Sequence, residues 1–134
     1  MPDRATAITA ALNFFDDGRF RDRLASLVAI QSTSQDPGHD ADVWTYLREG
    51  IAPWVERMGF TVSIHPNPKE GFGPILTAER IEDPSRPTIL TYGHGDTVRG
   101  LEDQWDAGLT PWTLVEQPDR WYGRGTAETR DSMR

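Results

Sequence analysis

Cysteine is absent from the 134 residues. That removes disulfides, thiolate catalysis and zinc–sulfur centres together, and it leaves histidine and carboxylate as the side chains through which a metal would bind. A basic excess is missing as well: 14 Lys and Arg stand against 21 Asp and Glu, for a formal net charge of −7 with the two signs interspersed. Such a balance offers no electrostatic footprint for nucleic acid or for an anionic membrane surface. Long apolar runs are lacking too. The stretch Ile8-Thr9-Ala10-Ala11-Leu12-Asn13-Phe14-Phe15 is too short and too broken by polar residues for a signal segment, and nothing longer exists. A cytoplasmic location is the expectation. Internal repeats and low-complexity tracts are not found, and the length suits one domain with an ordinary core.

What is present reads as α/β with a mixed central sheet flanked by helices. A helix is expected over Ala5–Phe15, ending at Asp16-Asp17-Gly18. A second follows with Phe20, Leu24, Leu27 and Val28 on one face at helical spacing. Ser32 to Gly38 is a loop by composition. Val43, Tyr46, Leu47, Ile51, Trp54, Val55 and Met58 then trace a long apolar stripe, which Pro53 should kink and Gly59 should stop. Phe60 to Ile64 alternates as a half-buried strand, Pro74 to Ala78 reads as the next, and Pro87-Thr88-Ile89-Leu90 as a third, buried on both faces.

Thr91-Tyr92-Gly93-His94-Gly95-Asp96-Thr97 follows that third strand, at a strand end of the kind where open α/β sheets place their ligands. In an extended chain His94 and Asp96 project to the same side. An imidazole beside a carboxylate is metal-site chemistry, because the carboxylate can take the other ring N–H and fix the tautomer. The residues alone also allow a plainer reading, in which Asp96 or Thr97 caps a following helix and His94 bonds nearby backbone. A second stretch, Asp119-Arg120-Trp121-Tyr122-Gly123-Arg124-Gly125-Thr126-Ala127-Glu128, comes one strand-loop-strand excursion later. Trp105, Pro111, Trp112, Trp121 and Tyr122 are expected to cover one edge of the core rather than to line a pocket, and His39 and His65 to be surface loop residues. Gly93-x-Gly95 and Gly123-x-Gly125 lack the third glycine of a dinucleotide fingerprint, and neither a serine elbow nor a phosphate loop occurs.

Taken together, Tyr-Gly-His-Gly-Asp-Thr and Trp-Tyr-Gly-Arg-Gly-Thr-Ala followed by an acid resemble the co-catalytic zinc peptidases of the aminoacylase, acetylornithine deacetylase, succinyl-diaminopimelate desuccinylase and carnosine dipeptidase type. The resemblance runs from about Leu24 to Ala127. It implies that His94 binds one metal, that Asp96 orients it and serves catalysis from behind, and that Glu128 bridges both metals at a position where the family has Asp. The implied cofactors are two divalent ions, zinc with cobalt or manganese as alternatives, since imidazole and carboxylate suit all three. The implied substrate is a small peptide or N-acyl amino acid, cleaved at an amide bond. By the same likeness residues 1–134 are the N-terminal portion of a metallopeptidase catalytic domain, without its C-terminal half, its lid domain, its general base and its later ligands. The chain is therefore expected to be inactive alone. The alternative is a non-catalytic remnant or binding module.

Glu128-Thr129-Arg130-Asp131-Ser132-Met133 departs from the family's Asp-Asn-Lys-Gly-Gln-His straight after an unbroken match. The codons GAC AAC AAG GGA CAG CAT G encode the family's residues, and removal of the first C yields GAA ACA AGG GAC AGC ATG, which encodes those found here. A one-base deletion or sequencing error is the expectation, and resequencing the gene through the codon for Arg134 tests it.

Overall fold

The computed structural model describes residues 3–127. Glu128 lies outside the described residues, as do Thr129 to Met133.

Helix α1 (Arg4–Asp16) begins where the Asp3 carboxylate accepts the Thr6 amide at 2.8 Å, a side-chain cap for an otherwise orphan donor. None of its residues is buried. It is held by rings instead: Phe14 lies 5.6 Å from Trp54, and Phe15 stacks on Trp121 at 5.8 Å. Gly18, at φ 83°, turns the chain into α2 (Arg19–Val28). The face expected to be apolar is the buried one. Leu24 and Val28 join Leu114 in the core, and Phe20, Ala25 and Trp121 pack around them.

The long stripe forms α3 (Asp40–Thr45), a wide π turn (Tyr46–Ile51) and α4 (Ala52–Arg57) in unbroken succession. Pro53 explains the widening. It has no N–H to give to the preceding turn and its ring would collide with the carbonyl four residues back, so the helix opens by one residue there. Val43, Tyr46 and Ala52 face inward. Gly50 is where this helix crosses α2: a Cβ there would stand 3.1 Å from Leu27 Cδ2. Gly59, at φ 86°, ends the helical stretch as expected.

Strand β1 (Thr61–His65) pairs antiparallel with β2 (Ile75–Glu79), from Thr61 opposite Glu79 to His65 opposite Ile75. Strands β3 (Val115–Gln117) and β4 (Arg120–Tyr122) make a short hairpin around Pro118 and Asp119. The class is α/β, as expected, but the described strands form two separate antiparallel pairs rather than one mixed sheet. The strand expected at 87–90 is not formed. Ile89 and Leu90 are 85% and 94% exposed, because a run of this kind needs a strand on each side and none of the described strands pairs with it.

Candidate metal-binding dyad

His94 and Asp96 are positioned by the loop that leaves α2, not by a strand. Ser32, Thr33 and Thr97 are almost fully buried against one another. The Thr97 amide donates to Ser32 O at 2.9 Å, the Ser32 hydroxyl donates to Gly95 O at 2.6 Å, and Thr33 and Thr97 form a single parallel bridge. Gly95 is required by proximity. A Cβ there would fall on the Tyr46 ring, 2.6 Å from Cζ and 2.7 Å from Cδ1.

On this footing His94 Nδ1 meets Asp96 Oδ1 at 3.0 Å, and the Ser34 hydroxyl donates to the other carboxylate oxygen at 2.6 Å. The side chains of His94 and Asp96 are 35% and 45% exposed, so the pair is anchored on one side and open on the other. An Nδ1–H donated to Asp96 puts the ring lone pair on Nε2, the nitrogen a metal would take. The helix-cap reading of Asp96 fails, since the next helical turn is Glu102–Gln104 and begins after Leu101. Among the described residues no three metal-ligating side chains converge. The dyad fits one ligand of a metal centre and its orienting carboxylate, and no complete donor set is assembled within 3–127.

The second motif comes close through Arg124. Strand β4 leads into Gly123, where a Cβ would stand 2.9 Å from Val28 Cγ1 on α2. The Arg124 amide donates to Pro111 O at 2.6 Å, and its guanidinium donates to Gly100 O at 2.7 Å while lying 5.3 Å from the Trp105 ring centre. The turn before residue 128 is thereby fastened to the segment just after Thr97. Sequence reasoning passed over Arg124, Ser32 and Ser34. The signals were a cation inside the second motif and three consecutive hydroxyl residues directly after the α2 face.

The aromatic residues divide the work. Trp121 stacks on Phe15 and Phe20 and covers the core edge, as expected. Trp105 and Trp112 instead pin a loop: Trp105 Nε1 donates to Gly100 O at 2.8 Å and Trp112 Nε1 to Glu102 Oε1 at 2.9 Å. The Trp112 bond is the main reason that the Glu102 carboxyl lies below its ordinary pKa. Two readings of histidine need correction. His39 is no plain surface residue: its ring meets Asp42 at 2.7 Å and Gln31 at 2.8 Å, because Asp42 lies one helical turn further on. His65 belongs to β1 rather than to a loop, and is exposed as expected.

No family model matches the chain. It is 30% identical over 116 residues to a cysteinylglycine-S-conjugate dipeptidase of Corynebacterium striatum, covering 86% of this chain and 24% of the relative. It is 33% identical over 82 residues to an acetylornithine deacetylase of Proteus mirabilis, covering 60% of this chain and 20% of that one. A solved structure of the di-peptidase Dug1p from Saccharomyces cerevisiae superposes with a TM-score of 0.67 at 27% identity, over 81% of this chain and 25% of the other. These matches support a family of the aminoacylase and dipeptidase type. The relatives are named dipeptidases and a deacetylase, and the chain spans about a fifth to a quarter of their length.

Proposed function

We propose that the chain carries the first metal-ligating part of a metal-dependent hydrolase site that cleaves an amide bond in a small peptide or N-acyl amino acid. The observation that supports this best is the chain of contacts Ser34–Asp96–His94. In this reading His94 Nε2 is the ligand. Asp96 takes the Nδ1 proton, holds the ring in one tautomer and raises its basicity, and Ser34 fixes the carboxylate rotamer. Glu128 is the proposed bridging acid. A bound pair of divalent ions, zinc or else cobalt or manganese, would supply an acidified water and a polarised carbonyl. Residues 1–134 are read as the N-terminal portion of a metallopeptidase catalytic domain, acting in the cytoplasm. General-base and later-ligand groups are not assigned to any described residue, so the isolated chain should not turn over acylated amino acids or dipeptides.

Calorimetric titration with zinc, cobalt and manganese tests the reading. Weak binding is expected, lost in His94→Ala and reduced roughly 10–100-fold in Asp96→Asn, the usual cost of removing an orienting partner. Binding that survives His94→Ala would overturn it. The second reading, a non-catalytic binding module, is favoured by the lack of three converging ligands among the described residues, and gains if no metal binds at all.

A further inference from the structure

Between the loop after α2 and the segment that follows the dyad lies a cavity of about 300 Å³, at the lower end of the range that takes small molecules. It adjoins the dyad through the chain itself. Thr33, in its wall, lies between Ser32 and Ser34, which hold Gly95 and Asp96, and its opposite rim is formed by the segment from Arg99 to Gln104.

Its charges are of both signs. Among the described residues Arg99 is the single cation in the wall, and Asp36, Glu102 and Asp103 are the acids. Two of the acids are already engaged: Asp36 accepts the Gly38 amide at 3.1 Å and Glu102 accepts Trp112. Arg99 and Asp103 make no hydrogen bond or ion pair among the described residues. Thr33 is 1% exposed, and among the described residues its hydroxyl oxygen, like that of Thr97 beside it, has no hydrogen-bond partner. A buried hydroxyl left unsatisfied is costly. The rim is held in place rather than loose. Gly100 O accepts from both Trp105 and Arg124, and Leu101 is kept at φ 55°, a left-handed conformation unusual for a branched residue.

We propose that this cavity binds a free amino acid in its zwitterionic form, with Arg99 taking the α-carboxylate and Asp103 the α-ammonium. As a binding site for an amino-acid zwitterion it stands alone; as the site of the amino acid released by hydrolysis it rests on the function proposed above. Bidentate guanidinium–carboxylate pairing suits Arg99. An ammonium suits the acidic side, whose net charge exceeds what one arginine balances.

The test is titration of the ¹⁵N-labelled chain by NMR, in EDTA so that no metal takes part. The probes are L-alanine, L-alaninamide without the carboxylate, and N-acetyl-L-alanine without the ammonium. Saturable shifts at the Gly100 and Gln104 amides are expected with L-alanine, and affinities roughly tenfold weaker with either half-ligand, since a hydrogen bond to a charged group is worth about that factor. In Arg99→Gln, L-alanine and L-alaninamide should bind alike. In Asp103→Asn, L-alanine and N-acetyl-L-alanine should. Both positions are exposed, so neither variant threatens the fold. No saturable shift with L-alanine, equal binding of all three probes, or an Arg99→Gln chain that keeps its preference for the carboxylate would each overturn the proposal. Zwitterion binding with metal binding indifferent to His94→Ala would instead leave the cavity standing and remove the hydrolase reading.

Discussion

Replacing Gly95 by alanine puts the docking of the dyad to a direct test. The added Cβ would overlap the Tyr46 ring, at 2.6 Å from Cζ and 2.7 Å from Cδ1, well inside van der Waals contact. Neither side yields easily. Tyr46 is 4% exposed within the π turn, and Gly95 O is fixed by the Ser32 hydroxyl. Relief requires the ring to leave its packing or the 94–97 segment to lift from the loop after α2. Overpacking of this kind costs about 1–3 kcal/mol, and the rigid partners here argue for at least the middle of that range. At about 2 kcal/mol a domain of this size should lose roughly 6–10 °C in Tm. Thermal and urea unfolding followed by circular dichroism give the number. Tyr46→Leu should remove most of the cost of Gly95→Ala in a double-mutant cycle, which assigns the loss to this contact and not to the substitution in general. If Gly95→Ala melts within a degree of the parent, or if Tyr46→Leu leaves its cost unchanged, the close approach is not what holds the dyad.

Trp121→Ala should destabilise by about 3 kcal/mol, the low end for removal of a large aromatic because the ring is only half-buried; a loss below 1 kcal/mol in urea unfolding would show that its stacking on Phe15 and Phe20 is incidental. Glu102 has its pKa lowered in the folded chain, first by the Trp112 bond, so its stabilising share is fully present above the ordinary glutamate pKa of the unfolded chain and fades as pH falls through the lower folded value. The stability gap between the parent and Trp112→Phe should therefore shrink on acidification in that window, and a gap that stays constant with pH would refute the link. Ile89, Leu90 and Tyr92 are 85%, 94% and 89% exposed, and contiguous apolar surface of that kind drives association. Sedimentation velocity should show concentration-dependent self-association that Leu90→Lys weakens, and a parent that stays monomeric at every concentration would count against it.

Local chemistry explains what the sequence revealed and what it hid. The face of α2 was legible because Leu24 and Val28 repeat at helical spacing and the core needs only that face. The stop at Gly59 and the disturbance around Pro53 were legible because each has a backbone cause within a turn of itself. That the disturbance takes the form of a π turn was not, since a proline inside a helix can equally be met by a kink or a break. The closeness of His94 and Asp96 followed from their spacing by two. Their support did not: Ser32 and Ser34 are about sixty residues away in sequence, and a hydroxyl run looks the same whether it faces water or another segment. Pro87 to Leu90 shows the converse. Its composition is that of a strand covered on both faces, yet composition states only what a segment can bury and not whether neighbours are there to bury it. The dyad therefore does not depend on that strand. It depends on the α2 loop and on the Tyr46 ring, contacts that lie within residues 3–127 and seat the segment carrying His94 and Asp96 while Leu90 remains in solvent.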